Sequence, residues 1–158
     1  MSEDSDFTTP DETGLTKPQK VVLSEAWSII KEDMVTHGTN IFVRFFEEHP
    51  NYLSYYDFSH DSEATELMEN KSLHAHALNV MHLLGALIDY GFDNPVMYKS
   101  SLAKSVKNHR RYHVTKADVK IVCGVITTYC MQALEDHSSE MLVSAFAAFM
   151  DSIIAAYD

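Results

Sequence analysis

Two histidines, His76 and His109, could bind a metal, and each lies in a segment whose apolar spacing predicts a helix. The apolar residues around His76 recur at helical spacing and place it on the stripe that faces the core; they are Leu73, Ala77, Val80, Leu83, Leu84 and Leu87. An imidazole in such a stripe is most often a core residue whose nitrogens have hydrogen-bond partners. A second histidine 33 positions later, on another predicted helix, favours two imidazoles that face each other across a flat iron cofactor.

The residues around both histidines carry a family resemblance. The run from Leu73 to Ile88 resembles the fifth helix of globins, in which a distal histidine is followed four positions later by an aliphatic residue, here His76 and Val80. The run from Leu102 to Val114 resembles the sixth globin helix and the turn after it, with His109 at the place of the proximal histidine. Both runs occur in the globin order and at the globin spacing. The chain is similar to animal intracellular globins, the group of neuroglobin, cytoglobin and myoglobin.

The resemblance implies an all-α globin fold, with seven to eight helices around a haem pocket. It covers residues 16–158, where Trp27 matches the tryptophan of the first globin helix and Pro50 opens the short third helix. Residues 1–15 are acidic and rich in serine and threonine, so we expect a disordered tail there. Thr16 is predicted to cap a first helix that runs to about Thr36, and the run Thr-Lys-Ala-Asp from Thr115 predicts a capping box at the start of a later helix. No segment sustains the alternation of a β-strand.

The resemblance also implies how the cofactor, haem b, is held. His109 would bind the iron through one ring nitrogen, and the other nitrogen would donate to an oxygen one turn earlier, for which Ser105 is the candidate. His76 would either donate a hydrogen bond to a bound gas or bind the iron itself and make the haem six-coordinate (hexacoordinate). Phe42 and the pair Arg110 and Arg111 favour the six-coordinate alternative.

Further residues would complete this pocket. Phe42 matches the globin position that leans over the distal face of the haem, and Val80 and Val114 would line the pocket. Either Tyr56 or Phe58 would pack against the haem, and we favour Phe58 because a buried tyrosine hydroxyl needs a partner. The basic residues around His109 could pair with haem propionates or be solvated; they are Lys104, Lys107, Arg110 and Arg111.

Charge and composition exclude several classes of partner. The net charge of −11, from 12 basic and 23 acidic residues, argues against nucleic acid because phosphates would be repelled. The N-terminus lacks the basic and apolar regions of a signal peptide, and no apolar run reaches the ~18 residues of a membrane span. We therefore expect a cytoplasmic protein. Cys123 and Cys130 share a predicted helix at a spacing of about 10 Å, too far for a disulfide, so we expect buried free thiols.

The function that follows is reversible binding of O2, CO and NO at haem iron, for oxygen storage, transport or supply. The alternative is a redox globin that carries out nitric-oxide dioxygenation or nitrite reduction with a reductase partner, or a sensor of gas or redox state. The sequence contains no dedicated catalytic motif such as a phosphate-binding loop or a nucleophile elbow. It leaves open the choice among these roles and the formation of a homodimer.

Overall fold

A computed structural model describes residues 7–61 and 63–157, and within them the structure is helical, with no strand. The α-helices are α1 (Lys17–Ile30), α2 (Met34–Glu48), α3 (Lys71–Ala86), α4 (Pro95–Arg110), α5 (Lys116–Ala133) and α6 (Glu140–Ala155). This confirms the all-α prediction. The described residues contain six α-helices rather than seven to eight because the segment that begins at Pro50 forms a 3-10 helix, Pro50–Tyr55. No helix among these residues is both long and apolar enough to cross a bilayer.

Polar side chains determine where the helices begin. Thr16 accepts a hydrogen bond from the Gln19 amide while the Gln19 side chain accepts one from Thr16, so the predicted start of α1 is a capping box. The capping box predicted at Thr115 is present as well, with Asp118 as its acid. The sequence predicted one helix as far as Thr36, but Asp33 accepts from the Thr36 amide and begins α2. The Asp33 carboxylate accepts the Thr36 amide proton that a continuous helix would donate to a backbone carbonyl, so the first helix ends before Thr36.

Close contact between α2 and α3 fixes the arrangement of the core around the two histidines. A Cβ atom on Gly38 of α2 would lie 2.7 Å from Met81 Cγ and 3.3 Å from Ala77 Cβ on α3. Only a residue without a side chain permits this approach. The crossing brings Phe42, one turn after Gly38, to a ring-centroid distance of 4.9 Å from His76.

Helix α1 packs against α3 through Trp27, the residue that matches the tryptophan of the first globin helix. Trp27 is buried, as expected of a core residue. Its indole lies on Gly85, where an added Cβ would be 3.3 Å from Trp27 Nε1. After Ala86 the helix continues as a π-helical turn, Leu87–Gly91, before Asn94 caps α4. The α3 segment that carries His76 is thus fixed by contacts with both α1 and α2.

The predicted disordered tail is wrong for residues 11–15, while residues 1–6 lie outside the described part of the chain. Thr13 and Leu15 are 0% and 1% exposed. The Asp11 carboxylate accepts hydrogen bonds from the Thr13 amide, at 2.9 Å, and from Lys20. Burial alone would raise the pKa of Asp11, but the hydrogen bonds from Lys20 and Thr13 outweigh it and hold the pKa below its usual value. The folded domain therefore begins before residue 16. The acidic composition predicted disorder there, but it does not show that Leu15 packs into the core.

Replacement of Leu15 tests this correction. Leu15→Ala removes a fully buried side chain, so we expect the free energy of unfolding to fall by about 2–4 kcal/mol in urea denaturation. Val21→Ala, at a side chain that is 59% exposed on the neighbouring helix, is the matched control and should change it by less than about 0.5 kcal/mol. Equal effects of the two substitutions would show that residues 11–15 do not belong to the folded core.

Candidate functional site

A cavity of about 520 Å³ lies among α3, α4, α5 and α6, and apolar side chains form most of its wall. Six of the seven residues that the sequence assigned to the pocket line it; they are His76, His109, Val80, Tyr56, Phe58 and Val114. Phe42 is the seventh, and it does not line the cavity. Its buried ring lies one layer behind, against His76 and Tyr56. Phe42 thus packs behind two residues that line the cavity, and its place at the distal face of a haem stays a prediction.

His109 is held by hydrogen bonds in the last turn of α4. Its Nδ1 lies 2.7 Å from the carbonyl oxygen of Ser105, one turn earlier, as the sequence predicted for this pair. A carbonyl oxygen only accepts, so Nδ1 carries the proton and donates it. In a neutral ring this leaves Nε2 with the free lone pair, the form in which imidazole binds a metal.

A second side chain approaches the same nitrogen. The hydroxyl of Tyr157, which follows α6, lies 3.0 Å from His109 Nδ1 and 3.2 Å from Ser105 Oγ. Burial raises the pKa of Tyr157, so its hydroxyl keeps its proton at neutral pH. The sequence analysis missed Tyr157 because no motif relates it to His109, 48 residues earlier.

His76 has a different environment. Its ring meets the edges of two aromatic rings, Phe42 at 4.9 Å and Tyr56 at 4.7 Å between centroids. Among the described residues, none forms a hydrogen bond with its nitrogens. Burial, together with the nearby His109, lowers the pKa of His76 to about 4, so the ring is neutral at pH 7. The interpretation as a core histidine with satisfied nitrogens therefore loses its support.

Tyr56 and Phe58 form the cavity wall together. Their rings stack at 5.5 Å with an interplanar angle of 13°, and both residues line the cavity. Burial raises the pKa of Tyr56 to about 12, so the phenol is uncharged. Both candidates therefore lie at the cavity, and the preference for Phe58 as the residue that packs against a haem stays a prediction.

The basic residues around His109 do not border the cavity. Within the described part of the chain its polar lining comes from side chains such as Asp57, Asp118, Ser72 and Asn108, and no lysine or arginine lines it. Lys107 and Arg110 instead line a separate groove between α4 and α6. The structure thus gives no support to the pairing of these cations with haem propionates.

The two histidine side chains in the cavity suit an iron that is already coordinated by a porphyrin. Two imidazoles come from two helices, one with Nδ1 held by a carbonyl and one without a partner among the described residues, and the cavity wall is mostly apolar. A porphyrin supplies four nitrogens itself, so two axial imidazoles complete the iron. Across residues 7–61 and 63–157, no group of three or more His, Cys, Asp or Glu residues could hold a free metal ion. The residues present therefore fit a haem.

The comparison with protein families decides the identity of the fold. A family model described as Globin matches residues 39–157, which include every residue that lines the cavity. The chain belongs to the globin family. Membership confirms the resemblance seen in the sequence, and it implies haem and the binding of a diatomic gas such as oxygen.

Individual globins resemble the chain over most of its length. A globin of Buccinum undatum is 27% identical over 147 residues, which are 90% of this chain and 99% of that protein. Cytoglobin-1 of Oryzias latipes is 29% identical over 143 residues, 89% of this chain and 78% of that protein. A myoglobin of Hemitriakis japanica is 26% identical over 129 residues, 80% of this chain and 81% of that protein. The similarity thus extends to globins with different names.

The two cysteines are free and buried, as the sequence predicted. Burial raises the pKa of both Cys123 and Cys130 to about 12, so at pH 8 only about one thiol in ten thousand is ionised.

We expect a thiol reagent such as dithionitrobenzoate to label the native globin at least about 100-fold more slowly than the chain in guanidinium, where two thiols react at once. Reactivity should rise with pH, because the thiolate is the reactive form. Fast labelling of one thiol at pH 8 would contradict the burial of this face of α5, and Cys123→Ser would identify which thiol reacts.

Proposed function

We propose that this globin holds haem b in the cavity through His109 and His76, and that it binds oxygen and other diatomic gases reversibly. The observation that supports this most directly is the pair of unlike imidazoles in one apolar cavity. His109 has its Nδ1 engaged by Ser105, whereas His76 has no hydrogen-bond partner among the described residues. Haem iron, when bound, supplies the reversible coordination of the gas.

His109 is the permanent ligand in this proposal. The bond from Nδ1–H to the Ser105 carbonyl fixes the ring orientation and leaves Nε2 as the donor nitrogen. Because this contact spans a single helical turn, it holds the ring in the same position whether or not a gas is present. Loss of the imidazole would leave the haem without a protein ligand from α4.

His76 is the exchangeable ligand. No side chain of the described residues holds its nitrogens, and its contacts with Phe42 and Tyr56 are between ring edges. Its imidazole would hold the iron on the side where a gas binds, so the ring would have to withdraw before a gas could enter. A ring without a hydrogen bond of its own can withdraw at low cost, whereas one bound to a carbonyl would first have to break that bond.

The remaining features support non-covalent haem b in a dry pocket. The sequence has no Cys-x-x-Cys-His attachment motif, and its two cysteines lie on α5 at positions 123 and 130. The apolar wall, which includes Val80, Leu83 and Leu87, keeps water away from the bound group. The cytoplasmic location, the reductase, the homodimer, and the roles in nitric-oxide or nitrite chemistry and in sensing stay predictions.

Replacement of His109 tests the first ligand. We expect His109→Ala to release haem to an excess of a haem-accepting apoprotein at least about 100-fold faster than the unmodified globin. The reason is that loss of a metal ligand weakens binding more than loss of a residue that only orients the ligand. Added imidazole should restore the original absorption spectrum. His113→Asn is the matched control: this exposed histidine has φ 59°, which asparagine tolerates, and haem release should not change. Unchanged haem retention in His109→Ala would refute the assignment.

Replacement of His76 tests the sixth ligand and the gas site together. The deoxygenated ferrous globin should show sharp, split visible bands, and His76→Leu should show one broad band with oxygen uptake at least about tenfold faster. His82→Leu, at an exposed position on the same helix, should leave the spectrum unchanged. A broad band already present in the unmodified globin would refute the sixth ligand and leave His76 as a hydrogen-bond donor to the gas. A spectrum that does not change reversibly between oxygen and argon would refute gas binding itself.

A further inference from the structure

Tyr157 is a buried tyrosine whose hydroxyl lies next to His109. It follows α6 in a turn whose backbone is fixed by the hydrogen bond from its own amide to the Ile154 carbonyl, at 3.1 Å. The residue is buried, and its ring lies 5.8 Å from the His109 ring between centroids. The end of the last helix thus places a phenol next to the histidine of α4.

The directions of the hydrogen bonds follow from the shortest one. The Ser105 carbonyl, 2.7 Å from His109 Nδ1, can only accept, so Nδ1 must donate. Tyr157 therefore cannot donate to this nitrogen, although its oxygen lies 3.0 Å away. Ser105 Oγ lies 3.2 Å from the phenol oxygen, and either hydroxyl can donate in that pair. In both cases the phenol oxygen keeps a lone pair for the Nδ1–H group. The proton of Nδ1 is then shared between a carbonyl and a phenol oxygen.

This sharing has two consequences for His109. A ring with acceptors on two residues, Ser105 of α4 and Tyr157 beyond α6, is held against rotation by two separate elements of the fold. A second acceptor also draws the Nδ1 proton further from the ring, which makes Nε2 a stronger electron donor. A stronger donor stabilises the ferric state relative to the ferrous state.

We propose that Tyr157 is a positioning residue for His109, which holds the imidazole and sets how strongly it donates to the iron. This inference rests on the proposed ligation of haem by His109. Tyr157 lines the cavity beside His109, and in this role it acts on the iron through the histidine.

A second buried tyrosine provides a matched control. Tyr98 on α4 is also hydrogen-bonded to a serine, Ser152 on α6, and it is buried like Tyr157. It lines the groove between α4 and α6 and does not line the cavity. Tyr98→Phe therefore removes the same chemical group from the same pair of helices without touching His109.

The test measures the reduction potential and the rate of haem release of the haem-loaded globin with Tyr157→Phe, Tyr98→Phe or Ser105→Ala. We expect Tyr157→Phe to shift the ferric/ferrous midpoint to a more positive value and to speed haem release about tenfold. Ser105→Ala keeps the carbonyl acceptor but removes the partner of the phenol, so its midpoint should shift in the same direction by a smaller amount. Tyr98→Phe should leave the midpoint and the release rate unchanged while lowering the urea midpoint of unfolding.

Each outcome has a separate meaning. Equal potentials and release rates for Tyr157→Phe and Tyr98→Phe would overturn the role of Tyr157 and leave haem binding by His109 intact. A shift in the urea midpoint alone would likewise show that Tyr157 is only structural. Failure of the unmodified globin to take up haem would overturn both this inference and the proposed function.

Discussion

Two imidazoles with unlike hydrogen-bond partners, in one mostly apolar cavity, form the constraint on which the rest of this globin depends. A buried polar group without a hydrogen-bond partner costs about 1–3 kcal/mol. His109 avoids that cost through the Ser105 carbonyl, but His76 has no such partner among the described residues. The half-buried His76 therefore keeps its nitrogens available to a ligand in the cavity.

Glycines maintain this arrangement at a distance from the cavity. At Gly38 the helices α2 and α3 approach so closely that a Cβ would overlap Met81, and at Gly85 the indole of Trp27 lies on the α3 backbone. These contacts fix α3 against two other helices. His76 is thereby held next to Phe42 and Tyr56 although its own nitrogens have no partner. Packing on the far side of α3 substitutes for the hydrogen bonds that usually position a buried polar side chain.

The sequence predicted features that depend on residues close together in the chain. The capping box at Thr115 and the contact of His109 with Ser105 each lie within one helical turn, so local spacing was enough. Gly38, Tyr157 and the burial of Leu15 were not predicted, because each depends on which distant element lies opposite. Helical periodicity identifies the face that is buried, but it does not identify the partner.

The same limit applies to Phe42 and to the basic residues, whose positions relative to the cavity the sequence did not determine. Phe42 shares a helix face with other buried phenylalanines, and only the crossing angle of α2 decides that His76 and Tyr56 lie between it and the cavity. Lys107 and Arg110 flank His109 in the sequence, yet residues two apart or adjacent on a helix point in different directions. They line the groove on the other side of α4 for that reason.

The unequal support of the two histidines matches the tasks that the proposed function gives them. Oxygens of Ser105 and Tyr157 surround Nδ1 of His109, so any rotation of that ring breaks hydrogen bonds on two elements of the fold. Rotation of His76 breaks no hydrogen bond within the described chain and changes only edge contacts with aromatic rings, which are worth about 0.5–1.5 kcal/mol each. In the proposed function, this difference would let one imidazole remain on the iron while the other gives up its place to a gas. A carbonyl oxygen within hydrogen-bond distance of His76 would hold that ring as firmly as His109, and His76 could then no longer give way to a gas.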